Sequence, residues 1–347
     1  MRKLLFGIIA GLVLGLVIGG YSLLFRKPDC TQQSLGRPLE VEITPIALAE
    51  PLNRRTAEIS GMDWYGDYLV ILPQYFDHAE GRVLYAIPKA VILERLQNPD
   101  SPPIEPIQIP VEDRLFGKEV DGDFEGYEAI AFIGDQVYLT VEISGDDEMI
   151  GILISGKIDP DMSRVVLDIE NRQPIPPQQQ IRNITDEALL AVDGQVITIF
   201  EANGAVINPF PTANVFGPDQ ILAGQVPFPT IEYRVTDATR LDADNNFWVI
   251  NTYTLGTPGL DPQMDSIGER FGLGCTQAFY PWVERLVELH YDPLEGITLT
   301  DSPPIQFKLR GYLFSRNWEG IVRLDDLGFL VATDKFPSTI FGFVPFP

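Results

Sequence analysis

Beyond residue 38 the chain reads as short runs of Val, Ile, Tyr and Phe cut by Gly, Asp, Asn and Pro. Apolar runs of strand length between turn-forming residues predict an all-β sandwich, barrel or propeller. Helical signals are few. Val91–Gln97 and Pro281–Leu289 could each form a turn of helix, though both also suit strands.

An internal repeat favours the propeller. The fullest copy runs Asn317-Trp318-Glu319-Gly320-Ile321-Val322-Arg323-Leu324, a turn over Asp325–Gly328, then Phe329-Leu330-Val331-Ala332-Thr333-Asp334. Ser60-Gly61-Met62, Glu128-Ala129-Ile130, Glu187-Ala188-Leu189 and Asp237-Ala238-Thr239 open the same strand–turn–strand unit. The starts at 60, 128, 187, 237 and 319 are 68, 59, 50 and 82 residues apart, the length of a four-stranded blade with loop insertions. The small second residue suits inner strands, whose backbones converge near the axis. Five blades are counted, and the interval from 237 to 319 leaves room for a sixth. Leu39–Ile46 could supply the fourth strand that the last copy lacks, closing the ring and protecting its edges.

One segment has a different pattern. From Leu4 to Phe25 there are 22 residues without a formal charge, about 33 Å as a helix and long enough to span a bilayer. A cleaved secretory signal is the other reading. The length of the run and the bulky Tyr21–Phe25 end favour a retained anchor. Gly7, Gly11, Gly15 and Gly19 form one smooth helix face that permits pairing into a homodimer. The expected organisation is an anchor over 1–27, a tether over 28–38 and a propeller over 39–347.

Charge sharpens the division. The net charge is −24. Arg2, Lys3, Arg26 and Lys27 are unopposed in the first 27 residues, so the remainder holds −28. Such a body is a poor partner for nucleic acid. The basic amino end favours a cytoplasmic amino terminus and an extracytoplasmic, or periplasmic, body. Cys30 and Cys275 are the only cysteines; outside the cytoplasm they could form one bridge, with two free thiols as the alternative.

The Glu319-Gly320-Ile321, Glu128-Ala129-Ile130 and Ser60-Gly61-Met62 starts resemble those of the phytase-like esterase and SdiA-regulated group of β-propellers, as does the Ala332–Pro337 tail. Cyanobacterial membrane-anchored proteins are similar in kind. The resemblance implies that the Glu-Gly start lies on an inner strand, and that calcium association and phosphoesterase-like activity occur in the group. Glu128, Glu187, Asp237 and Glu319 carry that position here, and Ser60 breaks it.

Candidate chemistry follows from these carboxylates. Glu128, Glu187 and Asp237 at the channel mouth, with Asp121, Asp123 and Glu125 in the densest acidic loop, could supply oxygens to Ca²⁺. Alternatively, each repeated carboxylate accepts backbone N–H bonds from the next blade. For hydrolysis, Glu319 or Glu128 is the candidate general base, with Lys335 or Arg323 binding an anionic substrate. Only His78 and His290 exist, which excludes a three-histidine zinc site. No Gly-x-Ser-x-Gly elbow occurs. The expected function is a membrane-tethered binding or assembly domain with a protein partner, and the alternative is a calcium-assisted phosphoesterase.

Overall fold

The computed structural model describes residues 27–30, 36–75, 82–112, 123–145, 148–254, 260, 264–311, 315–335 and 338–346. The uncharged run Leu4–Phe25 with its glycine stripe, His78 and Asp121 lie outside the described residues. Among those described, no helix is long and apolar enough to cross a membrane.

The chain is a β-propeller. Five inner strands begin the five sheet units: Ile59–Tyr65, Asp123–Ile133, Asp186–Val192, Arg234–Ala238 and Trp318–Leu324. Each packs on the next, and the fifth packs on the first, so the ring closes. Each continues outward by antiparallel pairing, as in Asp186–Val192, Gln195–Phe200, Thr212–Phe216 and Leu222–Pro227 of blade 3. Blades 1 and 2 join at their outer edges, where Ile107–Glu112 runs parallel to Val165–Ile175.

Closure uses the amino-terminal segment, as the sequence predicts. Thr44–Pro45 pairs with Phe341–Pro345 as the outer strand of blade 5, and Glu40–Val41 lies parallel to Ile305–Phe307 on blade 4. Among the described residues there is no sixth blade. The long interval after Asp237 holds the helix Ser266–Phe271 and a loop before the strand Val283–Asp292. Pro281–Leu289 therefore mostly enters a strand, whereas Val91–Gln97 lies in the helix Lys89–Gln97.

Apolar side chains fill the spaces between blades. Val70, Leu72 and Leu84 of blade 1 meet Ile130, Phe132 and Leu139 of blade 2. Near the axis the approach is closest. A Cβ on Gly61 would lie 3.3 Å from the Ala129 backbone, and one on Gly320 would lie 3.2 Å from Met62. This crowding explains the small residue in every copy of the repeat.

The residue before it is explained by a register shift. The strand pairing slips between Ile59 and Gly61, Tyr127 and Ala129, Asp186 and Ala188, Val235 and Ala238, and Trp318 and Gly320. A bulge bends the strand and re-aims a side chain. Ser60, Glu128, Glu187, Asp237 and Glu319 sit at these five slips, so the repeat is a bulge signature.

Candidate active site at the mouth of the propeller

The inner strands all run away from the end at which they begin, which we call the mouth. Second strands return to it, bringing Glu142, Glu201 and Asp334 to the same end. Three of the four bulge carboxylates, Glu128, Glu187 and Glu319, join this group.

Arg234, the first residue of the blade 4 inner strand, organises the mouth. Its Nη2 donates to Glu187 Oε2 and Oε1 at 3.1 and 3.2 Å, and to Glu319 Oε1 at 3.4 Å. Nη1 donates to Asn317 Oδ1 at 2.6 Å, and Nε faces Glu201. Asn317 Nδ2 in turn donates to Glu319. Side-chain exposure is 7% for both Arg234 and Glu187 and 11% for Glu319, so the cluster is largely desolvated.

One guanidinium cannot neutralise this many acids. Burial raises the carboxyl of Glu319 well above its usual range, Asp334 adds to the rise and Arg234 opposes it. Burial, then Glu187 and Glu142, likewise raise Glu128. Glu142 is pushed up to about 7 by burial and the nearby Glu187; its Oε2 has no hydrogen-bond partner among the described residues. Burial also raises Glu187, but Arg234 counters this directly by charge and hydrogen bonding. Burial raises these carboxyls alike, and Arg234 opposes the rise most directly at Glu187; a difference of this kind between neighbouring acids is what acid–base chemistry uses.

Aromatic rings flank the cluster. Tyr75 packs against Phe124 with centroids 6.0 Å apart. Its hydroxyl is pushed up to about 12 by burial and by Glu128, Glu58, Glu125 and Glu142. Tyr233 and Tyr253, 5.3 Å apart on blade 4, pack instead with Arg285 and Trp282.

Asp237 is placed differently from its repeat counterparts. It is buried and accepts from Ile321 N at 2.7 Å and Ala238 N at 2.8 Å, clasping blade 4 to blade 5. Asp63, outside the repeat position, does the same between blades 1 and 2 through Phe132 N at 2.7 Å. Arg240 donates to both Asp63 oxygens, at 2.7 and 2.8 Å, and braces the far end of the channel.

The other expected residues are scattered. Lys335 is near the mouth but pairs with Glu58 at 3.1 Å. Arg323 is at the far end, beside Asp242 and Asp326. His290 meets Asn246 there at 2.9 Å. Glu125 is half-buried near Tyr75 and Asp123 is exposed. Among the described residues no group of three or more His, Cys, Asp or Glu could hold a metal ion. Arg234, Glu142 and Glu201 were not expected from the repeat. The available signal was a charge at the end of an otherwise apolar strand, as in Val137–Ile143 and Val196–Glu201.

No family model matches the chain, and no curated protein matches it. Solved structures do. An exo-beta-1,3-galactanase from Phanerochaete chrysosporium has 8% identity and a TM-score of 0.48, over 88% of this chain and 64% of that one. An alpha-L-arabinanase mutant from Cellvibrio cellulosa has 12% identity and a TM-score of 0.43, over 83% and 90%. A glycosyl hydrolase from Bacteroides ovatus has 11% identity and a TM-score of 0.40, over 89% and 92%. These likenesses are too distant to carry an activity to this chain. They do correct the family expectation: the similar structures are glycoside hydrolases, not phytase-like esterases or SdiA-regulated propellers. The two functional expectations, an assembly domain of unknown ligand and a calcium-assisted phosphoesterase, are overturned with it.

Proposed function

We propose that the chain cleaves a glycosidic bond at the mouth, with Glu319 as proton donor and Glu187 as its ionised partner. The observation that carries this reading is the unequal hold of Arg234, with two contacts near 3.1 Å to Glu187 and one at 3.4 Å to Glu319. Glycoside hydrolysis needs a protonated carboxyl at the leaving oxygen and a carboxylate facing the positive charge that develops on the sugar. Glu319 gives its proton to the leaving oxygen as the C–O bond breaks, a water adds its oxygen to the anomeric carbon, and Glu187 takes the proton which that water releases. The acidic surroundings favour a neutral substrate, and the half-buried ring of Tyr75, beside Glu128 and Glu142, is the nearest aromatic platform for a sugar. The test is hydrolysis of a panel of neutral aryl glycosides and oligosaccharides by the full chain. Cleavage lost across the whole panel in Glu187→Gln, and for the oligosaccharides in Glu319→Gln, is expected. Equal turnover by both variants and the wild type would remove the assignment.

We also infer that Leu4–Phe25 remains attached as a single membrane anchor and that the propeller lies outside the cytoplasm. The Cys30–Cys275 bridge, with Cα atoms 5.6 Å apart, supports a non-reducing compartment. Mass measurement of the mature amino terminus tests retention; a start near residue 28 would contradict it.

A further inference from the structure

The bridge attaches the tether at a defined place. Cys275 lies in the loop between the strands Asn246–Tyr253 and Val283–Asp292. The first of these runs toward the mouth and the second away from it, so this loop is at the mouth end. Lys308–Gly311 and Ser315–Arg316 also lie there, between Ile305–Phe307 and the inner strand Trp318–Leu324. Residues 27–30 sit over this edge and, with Lys308, Arg310, Glu42 and Tyr280, line a groove of about 480 Å³.

The groove departs from the charge of the body. Lys27, Lys308, Arg310 and Arg316 line it, against Asp29 and Glu42. Lys308 pairs with Glu42, and Arg316 with the buried Glu284. Lys27 and Arg310 make no ion pair among the described residues, though Arg310, after Lys308, helps hold the Glu42 carboxyl below its usual range. In a body carrying −28, cations gathered at the point where an uncharged 22-residue run enters need an anionic neighbour. Only Arg26 and Lys27 separate Phe25 from Pro28, so a membrane-embedded run places the groove at head-group level.

We propose that this groove seats on the phosphates of anionic lipid head groups, turning the mouth end of the propeller toward the bilayer. Juxtamembrane Lys and Arg are attracted to such a surface, whereas the rest of this acidic body is repelled by it. The bridge supplies what a free tether would not, a fixed edge of the propeller against the membrane. The inference rests on the anchor reading and is independent of the chemistry at Glu319.

The test uses the full chain in nanodiscs of phosphatidylcholine alone or mixed with phosphatidylglycerol, read by amide hydrogen exchange. With phosphatidylglycerol, residues 305–311 are expected to exchange about tenfold more slowly. The double variant Lys27→Gln, Arg310→Gln should lose that difference while keeping the wild-type melting temperature. Cys30→Ser, which frees the tether, should weaken it. Equal exchange in the two lipids, or in wild type and double variant, would overturn the proposal while leaving the anchor intact. Protection by inorganic phosphate in phosphatidylcholine discs would identify a free-anion site and also overturn it. A chain that does not enter the discs would refute the groove and the anchor together, without bearing on glycoside cleavage.

Discussion

The two ends of the propeller channel use similar residues for opposite purposes. At the far end, Asp63 accepts two backbone N–H bonds and a two-pronged pair from Arg240, so its oxygens are occupied. At the mouth, Glu128, Glu142, Glu187 and Glu319 share Arg234, and their mutual repulsion adds to the desolvation that raises them. Burial raises Asp63 and Asp237 as well, but backbone amides oppose the rise there, whereas at the mouth neighbouring acids add to it. What decides between them is the direction a bulge gives the side chain.

The largest expected effect sharpens that contrast. Arg234→Leu strands buried carboxylates without a counter-charge and should cost about 3–5 kcal/mol, read from the urea midpoint. Arg240→Ala should cost about 1 kcal/mol or less, because its side chain is 45% exposed and solvent screens the pair. It should also leave glycoside cleavage intact. Equal losses at the two ends would break the comparison.

Stability against pH comes next. Glu142 titrates at about 7 when folded and near the ordinary carboxyl value when unfolded, so the folded state binds the extra proton between them. Its contribution is fully present below the ordinary value and is lost as pH rises through about 7, an effect on the order of 3 kcal/mol. Asp186, raised by burial to about 7, acts in the same direction. The melting temperature should therefore fall between about pH 5 and pH 8 by roughly 5 °C or more. Glu142→Gln should flatten the slope, and an unchanged slope would show that the mouth does not hold that proton.

The smallest effect compares two glycines between the ends. Gly61→Ala drives a Cβ to 3.3 Å from the Ala129 backbone, which cannot rotate away. Gly320→Ala meets side chains instead, Met62 at 3.2 Å and Ala332 at 3.4 Å. Thermal melts should show a loss of about 1 kcal/mol for the first and less for the second.

Much of this fold is legible in the sequence because the bulge repeats. Polar residue, small residue and strand recur five times, and each feature answers a constraint that every blade shares. The closing strand at Thr44–Pro45 is legible for a similar reason, since the last copy lacks an outer partner. The site is less legible. The repeat predicts one role for Glu128, Glu187, Asp237 and Glu319, yet Asp237 turns to the amide of Ile321. That direction depends on local backbone geometry, which the motif does not encode. Arg234 is missed because a buried arginine is recognisable only once the acids around it are known. The substrate class inferred from resemblance fails because Glu-Gly starts report a bulge, which any chemistry can share.

The most direct measurement is the dependence of cleavage on the leaving group in Glu319→Gln. If Glu319 delivers the proton, glycosides with a poor leaving group should lose about 10²–10⁴-fold in kcat/KM. Those with an acidic phenol, which departs without protonation, should lose far less. Glu187→Gln should depress both classes alike. Equal losses for both leaving groups in Glu319→Gln would contradict its role as proton donor, and with it the claim that the mouth holds a proton for catalysis.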